Sequence, residues 1–437
     1  MRRSYFTLLL FVISLSSAFA KDNPYSMFRG NAQHSGIYPQ TEVRSNPTLK
    51  WRFKTEGFIN SSAAIEGDNL FFGSGDGYLY SVNSNDGSQN WKFQTGGEVH
   101  SSPAVVDGIV YFGSHDGNFY ALNANDGSVK WTFKTEGEKR FSAYGIHGNL
   151  PKDSLFVDPW DFWLSSPVVN ETSIYFGSGD GYFYALNKKD GSEKWKFKTG
   201  AVNHSSPALA FGNVYFGSWD TYMHALSAET GTEVWKFQTG IDTDIYNQTG
   251  ITSSPVVNGD ILYFGCRDAN IYAVNAHSGD LVWKKFNNRG WISVTPVVYD
   301  EKVIYASGSS RSFVALNKMN GDSVYKFKTA AFFSSPAVVG TTLYYGDFNG
   351  FIEAMDINTG KVKWSYQIPT SIEDPLHFLN ADKSFNQDAF QKYLEKYEGD
   401  KSVLQLRFSL GAMLSSPVVK DGSVYIGSTD GYFYALK

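Results

Sequence analysis

The chain has 437 residues, 42% of them hydrophobic and 16% aromatic, with a formal net charge of −5 and one cysteine. The acidic balance, without a basic run, excludes a surface built to bind nucleic acid or anionic lipid. A single cysteine excludes an internal disulfide, and beyond the N-terminus no segment is long and apolar enough to span a bilayer.

Residues 1–20 have the pattern of a secretory signal peptide. Arg2 and Arg3 supply positive charge, residues 5–15 are mostly apolar, and residues 18–20 form a small-x-small cleavage site. Lys21 follows this site, where a lipoprotein would carry a cysteine. The sequence therefore predicts a periplasmic or secreted protein that is not a lipoprotein.

A lead-in segment, residues 21–48, is followed by eight copies of a unit of about 40 residues. Residues 101–135 show the unit most clearly, with a Ser-Ser-Pro start and four β-rich runs separated by Asp-Gly pairs. Asp-Gly between alternating apolar runs indicates a hairpin turn, because glycine adopts positive φ without a Cβ clash. Four antiparallel strands per repeat of this length predict one blade of a β-propeller.

The last repeat ends at Lys437 without a fourth strand, and Leu49–Thr55 has the pattern of the missing one. An N-terminal strand that completes the last blade would close the ring and remove its free sheet edges. The predicted fold is therefore all-β: an eight-bladed propeller over residues 49–437, with insertions near 136–164, 241–252 and 367–414.

One aromatic residue recurs in the fourth strand of each repeat. A large ring at the same place in every blade is typical of packing between blades. The residues are Trp51, Trp91, Trp131, Trp195, Trp235, Trp283, Tyr325 and Trp364.

The motifs A-L-N-x-x-D-G-x-x-x-W and S-S-P-x-V-x-x-G-x-V-Y-F-G-S resemble those of the PQQ-like β-propeller repeat family over Leu49–Lys437. The resemblance implies the fold more firmly than a function. Relatives include quinoprotein dehydrogenases, which bind pyrroloquinoline quinone (PQQ) and calcium, and the outer-membrane barrel-assembly lipoprotein, which binds no cofactor. This chain lacks the vicinal cysteine pair and the CxxCH haem segment of the dehydrogenases. It also lacks the lipidation cysteine of the assembly factor.

All three large insertions connect the fourth strand of one blade to the first strand of the next, so they are expected on one face of the ring. Long loops on a rigid scaffold frequently carry function. Trp219, Arg267 and Phe348 are placed on the same face by the turn between strands two and three, where other repeats carry smaller residues such as Gly75 and Gly179. The ligand-binding candidates on this face are Arg140, His147, Asp158, Trp160, Asp161, Trp163, Trp219, Asp244, Tyr246, Asn247, Arg267, Arg289 and Trp291.

Two further features leave alternatives open. His100 and His204 precede Ser-Ser-Pro in the second and fourth blades, but these blades are not adjacent and no third ligand is evident, so no metal is predicted. Cys266 occupies a position where sister repeats carry serine. It is either a near-isosteric replacement or a reactive thiol beside Arg267.

Three functions follow from these observations. The first is a non-catalytic binding or scaffold module, a monomer that holds a protein partner, glycan or small ligand on the insertion face. The second is a PQQ- and calcium-dependent oxidoreductase of alcohols or sugars, with ligands drawn from Arg140, Asp158, Asp161, Asp244, Asn247 and Arg289. The third is an outer-membrane protein assembly factor. A channel mouth filled by apolar residues would favour the first, and convergent carboxylate, amide and Arg groups the second.

Overall fold

The computed structural model describes residues 23–39, 41–146, 149–241, 250–288, 290–307, 311–328, 333–374, 376–396, 405–406 and 408–437. These residues form eight four-stranded antiparallel sheets and one two-stranded sheet. The sheets confirm the predicted eight-bladed β-propeller.

The first four blades follow one another along the chain, each with its strands hydrogen-bonded in sequence order. The bounds are β1 Leu49–Lys54, β2 Ala64–Glu66, β3 Asn69–Gly73, β4 Tyr78–Asn83, β5 Gln89–Gln94, β6 Ala104–Val106, β7 Ile109–Gly113, β8 Asn118–Asn123, β9 Val129–Lys134, β10 Ser142–Tyr144, β11 Leu155–Val157, β12 Val168–Val169, β13 Ser173–Gly177, β14 Tyr182–Asn187, β15 Glu193–Lys198, β16 Ala208–Ala210, β17 Asn213–Gly217, β18 Tyr222–Ser227 and β19 Glu233–Gln238.

The second half repeats the arrangement and adds two short helices after its third blade. The bounds are β20 Val256–Asn258, β21 Ile261–Gly265, β22 Asn270–Asn275, β23 Leu281–Phe286, β24 Val297–Tyr299, β25 Lys302–Ser307, β26 Ser312–Asn317, β27 Ser323–Lys328, β28 Ala337–Val339, β29 Thr342–Gly346, β30 Phe351–Asp356, β31 Val362–Gln367, α1 Pro369–Glu373, α2 Gln387–Lys396, β32 Val418–Lys420, β33 Ser423–Gly427 and β34 Tyr432–Leu436.

The N-terminal strand closes the ring. β1 pairs antiparallel with β34, so that the eighth sheet has the order β1-β34-β33-β32. Trp51 lies opposite Ala435 in this pairing. The closure confirms the prediction from the incomplete last repeat, and it satisfies the backbone groups that an open ring would leave at two sheet edges.

The aspartate of the turn between strands two and three holds neighbouring blades together. In the second blade the Asp116 carboxylate accepts hydrogen bonds from the backbone N–H of Asn118 (2.9 Å) and the hydroxyl of Tyr120 (2.7 Å). It also accepts one from the backbone N–H of Gly96 in the preceding connection (2.8 Å). The acidic residue of the Gly-Ser-x-Asp-Gly turns therefore has a structural role in the ring.

The aromatic residue of each fourth strand lies against the neighbouring blade. In seven of them the indole N–H, or the hydroxyl of Tyr325, donates a hydrogen bond to a backbone carbonyl of the next blade. Ring faces also contact the turn glycine of that blade, where a side chain would collide with the ring. The pairs are Trp51 with Gly87, Trp91 with Gly127, Trp131 with Gly191, Trp195 with Gly231, Trp235 with Gly279 and Trp283 with Gly321.

This contact predicts a difference between two glycines of the same backbone conformation. Gly191 has a φ of +73°, and a Cβ there would lie 2.4 Å from the Trp131 ring. Gly108 has a φ of +71° and no atom within 4 Å of its Cβ position. Both alanine variants carry the cost of positive φ, about 1 kcal/mol, but only Gly191→Ala must also move a packed indole. We expect its free energy of unfolding, measured by urea denaturation, to fall about 1–3 kcal/mol further than that of Gly108→Ala; equal losses would contradict this packing.

The lead-in segment covers the ring on the face opposite the insertions. The backbone N–H groups of five inner-strand residues donate to its carbonyls; they are Ile65, Val105, Leu209, Val257 and Val338. The buried guanidinium of Arg29 donates to the carbonyls of Pro296 and Pro336. These bonds reach inner strands on several sides of the ring and fix the segment across the end of its central channel.

The described parts of the insertions contain little regular structure. The first forms the β10–β11 ribbon, in which Tyr144 pairs with Leu155. The third contains α1 and α2, and the apolar residues Phe390, Tyr393 and Leu394 of α2 fall at helical spacing. Phe390 of α2 is buried against Phe378. No helix among the described residues has the length and apolarity needed to cross a membrane.

Candidate functional site

The residue before each Ser-Ser-Pro motif lines the central channel at the insertion face, and the motif's second serine lines it one layer deeper. The first layer consists of Asn60, His100, Leu164, His204, Thr252, Ser293, Phe333 and Leu414. The second consists of Ser62, Ser102, Ser166, Ser206, Ser254, Thr295, Ser335 and Ser416. The cavity between them measures about 50 Å³, space for only a few water molecules.

Hydrogen bonds join the second layer into a belt around the channel. In most steps the backbone N–H of one residue donates to the side-chain oxygen of its counterpart in the next blade, at 2.8–3.2 Å. One such bond, from Ser416 to Ser62, crosses the ring closure. The serines that define the repeat therefore satisfy each other and are not arranged as nucleophiles.

An aromatic plug closes the channel at the insertion face. It joins the first insertion, the seventh blade and the third insertion, and its rings lie 4.1–6.5 Å apart between centroids. Its members are Trp160, Phe162, Trp163, Phe333, Phe348 and Phe408. Phe28 of the lead-in segment lines the cavity from the other side. Both ends of the channel are therefore covered by the chain itself.

A buried cation anchors the first insertion beside the plug. The Arg267 guanidinium is paired with the Asp158 carboxylate, and both side chains are at most 2% exposed. The rings of Trp219 and Trp291 lie 4.7 and 4.3 Å from the guanidinium carbon, in the range of a cation–π interaction. Trp219 also stacks on Phe141 of the insertion at 4.2 Å. These four predicted ligand candidates come together, and Asp158, Trp219 and Arg267 are buried where they hold the insertion on the ring.

A second buried charge cluster surrounds His204. Its Nδ1 lies 2.6 Å from an Asp161 carboxylate oxygen and its Nε2 lies 2.8 Å from one of Glu138. Burial alone would lower the pKa of this imidazole, but the two carboxylates outweigh it and raise the pKa to about 10. His204 is therefore a cation that ties the first insertion to the fourth blade. Because both of its nitrogens are engaged, it is not available to ligate a metal together with His100.

His100 instead has His115 as its neighbour. The two rings are perpendicular with centroids 5.2 Å apart. Glu98 and Arg140 lie beside them, with the Arg140 Nη2 3.7 Å from a Glu98 oxygen. Burial lowers the pKa of His100 and of His115 to about 4, so both are neutral at neutral pH.

The thiol of Cys266 has the same environment as the serines that it replaces. It is fully buried and donates to the Thr239 hydroxyl (Sγ to Oγ1, 3.4 Å), as Ser74 donates to Thr55 and Ser114 to Thr95. Burial raises the pKa of the thiol. A buried protonated thiol is a poor nucleophile, so the geometry favours the isosteric replacement over the reactive thiol.

The remaining candidates divide into two groups. Arg140 is exposed at the face, whereas Trp160, Trp163 and Trp291 are half-buried. The candidates His147, Asp244, Tyr246, Asn247 and Arg289 lie outside the described residues.

Sequence reasoning missed Glu98, His115 and Glu138 as members of the face. His115 carried a signal: it stands in the turn position that is glycine at Gly75 and Gly179.

The described residues of the channel do not fit PQQ with calcium. A tricyclic quinone with several carboxylates needs a cleft and cationic or amide partners that face it. Here Arg267 is enclosed with Asp158, and Asp161 is engaged by His204 and by the backbone N–H of Phe141 (2.5 Å). The mouth above the 50 Å³ cavity is filled by the aromatic plug.

Solved structures of very different function share the fold. The crystal structure of BamB from Moraxella catarrhalis matches with a TM-score of 0.66 and 16% identity, over 90% of this chain and 100% of that one. The quinohemoprotein alcohol dehydrogenase of Comamonas testosteroni matches with a TM-score of 0.68 and 11% identity, over 95% and 81%. The computationally designed Ika8 protein matches with a TM-score of 0.63 and 14% identity, over 87% and 96%. At these identities the likeness shows the fold alone.

Sequence comparison is more specific. The outer membrane protein assembly factor BamB of Yersinia pestis is 30% identical over 117 residues, which are 23% of this chain and 28% of that protein. A family model described as outer membrane protein assembly factor BamB matches residues 44–145, 157–366 and 220–437. Because these matches cover most of the propeller, the chain belongs to the PQQ-like β-propeller family that this model represents.

Proposed function

We propose that the protein is a non-catalytic binding module of the cell envelope that holds a protein partner on its insertion face. The observation that carries this proposal is the β10–β11 ribbon. Tyr144, Leu155 and Val157 lie on one face of this ribbon and are 64%, 59% and 55% exposed. A cluster of large apolar side chains that project from a polar surface is typical of a protein interaction site.

The ribbon also offers backbone groups for pairing. It has only two strands, so each strand has one outer edge within the described part of the chain. An extended segment of a partner can add to such an edge, with main-chain hydrogen bonds for affinity and side-chain contacts for specificity. Leu150 in the connection between the strands is 75% exposed and extends the apolar surface.

The enclosed channel supports binding rather than catalysis. Of the charged groups that sequence reasoning offered as cofactor ligands, Asp158 and Asp161 are paired inside the face. The tryptophans among the ligand-binding candidates lie in the plug or around Arg267. The names of the relatives make outer-membrane protein assembly a more specific form of this proposal, and the signal-like N-terminus supports the envelope location.

We expect a photo-crosslinking residue at position 144 or 155 to capture a discrete protein in the native host. Position 211 is the control, because Phe211 is also a large apolar residue, 51% exposed, but lies in a β16–β17 turn on the opposite face. The double variant Leu155→Ser/Val157→Thr should abolish the adduct from position 144 without lowering the melting temperature. No adduct at either ribbon position, or the same adduct from position 211, would contradict a protein site at the ribbon.

A further inference from the structure

Three potential metal ligands meet on the insertion face between the first and second blades. One ligand atom from each of Glu98, His100 and His115 lies within 4.8 Å of the other two. Glu98 and His100 belong to the connection that precedes β6, and His115 belongs to the β7–β8 turn. The two elements are separated by β6 and β7 in the sequence and are brought together by the blade.

His100 is held in the tautomer that a metal requires. Its Nδ1 lies 2.7 Å from the carbonyl oxygen of Phe162, and because a carbonyl only accepts, Nδ1 carries the proton. The lone pair is therefore on Nε2. A backbone carbonyl on the second ring nitrogen is the usual partner of a metal-ligating histidine, since it fixes the ring and its tautomer.

No described residue donates a hydrogen bond to that lone pair. His100 is 4% exposed, and its Nε2 is buried without a hydrogen-bond partner among the described residues. The same holds for the buried Nε2 of His115. Buried polar atoms nearly always have a partner, so two such nitrogens on perpendicular neighbouring rings point to a ligand between them.

The surrounding blades show that His115 is not needed for the turn. The equivalent position is Gly75 in the first blade and Gly179 in the third. The ring backbone therefore forms this turn without a side chain, and the histidine at this place adds only its imidazole. A Cβ at Gly75 would lie 3.3 Å from His100 Nε2, so the glycine of the first blade leaves space beside that nitrogen.

We propose that Glu98, His100 and His115 form a binding site for one divalent transition-metal ion of the zinc class. Two imidazoles and a carboxylate suit zinc, with a fourth position left for water. Calcium and magnesium prefer sites made of oxygen alone. The Glu98 side chain is 48% exposed, and its Oε2 lies 3.9 Å from His100 Nδ1 and 3.7 Å from Arg140 Nη2. It must therefore leave Arg140 and turn toward the Nε2 side of His100 to face the ion. The site is independent of the partner proposed for the ribbon.

The test is calorimetric titration of zinc chloride into the metal-stripped protein, with cobalt chloride as a spectroscopic probe. We expect one saturable site and a visible Co²⁺ absorption band stronger than that of the aqueous ion. His115→Gly, which introduces the glycine of the two adjacent blades, should weaken zinc binding by about tenfold or more, as should Glu98→Gln. Arg140→Gln should strengthen it, because it removes the competing cation.

His277→Ala is the matched control. His277 is an exposed histidine whose Nε2 lies 3.0 Å from Asp260, and its loss should leave zinc affinity unchanged. Because His115→Gly and Glu98→Gln alter exposed or half-buried side chains, their melting temperatures without metal should match the parent. Absence of a saturable site in the parent would overturn the proposal. It would also be overturned if His115→Gly and Glu98→Gln bound zinc with the affinity of the parent. Equal stabilisation by calcium would overturn the metal class.

Discussion

Replacement of Asp158 by alanine is expected to lower the free energy of unfolding by about 3–5 kcal/mol. The variant leaves the Arg267 guanidinium in place between Trp219 and Trp291 and removes the carboxylate with which it is paired. A cation without its counter-charge is costly in a buried site because it has lost its water and gained no equivalent interaction. The measurement is the shift in urea midpoint.

Two further variants show whether the loss comes from the buried charge. Lys196→Ala breaks an exposed ion pair with Glu136 of the same insertion, in which the two side chains are 34% and 54% exposed. We expect a change of at most about 1 kcal/mol there. The double variant Asp158→Ala/Arg267→Gly should recover part of the loss, since no charge is then stranded. A loss in Asp158→Ala no larger than in Lys196→Ala would rule out the buried pair as an anchor.

The second large effect concerns pH. Because the pKa of His204 is raised in the folded protein, the folded chain keeps a proton that the unfolded chain releases near the ordinary histidine pKa of 6.5. The stability from this group is therefore complete below about pH 6.5 and is lost as pH rises toward the folded value of about 10. The slope is at most about 1.4 kcal/mol per pH unit. We expect the melting temperature of the parent to fall across this window.

His204→Gln should remove that alkaline decline and cost about 3–5 kcal/mol at neutral pH. The variant leaves Asp161 and Glu138 facing each other without the imidazolium, and acidification should restore part of its stability by protonating a carboxylate. His277→Gln, which alters an exposed histidine, should keep the parental pH profile. If His204→Gln shows the same alkaline decline as the parent, the imidazolium is not its source.

The repeat predicted the ring because its signals are local. Each Asp-Gly turn, each strand run and each fourth-strand aromatic residue lies within one unit of about 40 residues. Eight such units leave few arrangements that bury both faces of every blade. The unpaired last unit and the strand at Leu49–Lys54 then determine closure, which the pairing of β1 with β34 confirms.

The candidate site could be predicted only in part. Sequence position placed Asp158, Trp219 and Arg267 on one face, and the structure brings them together there. Their pairing was not predictable, because Asp158 and Arg267 are 109 positions apart and lie in different blade connections. His100 and His204 share one sequence position but differ in charge, since one faces a carbonyl and the other two carboxylates.

The amino-acid sequence by itself determined the number of blades, the closing strand and the face that carries the insertions, because hairpin chemistry and packing between blades act over short distances. Only the tertiary structure decided which insertion side chains are enclosed and which remain exposed. Those contacts join residues from different blades, and burial sets both their charge and their access to solvent. The same folding that buries Arg267 and His204 leaves the β10–β11 ribbon exposed and brings Glu98, His100 and His115 together.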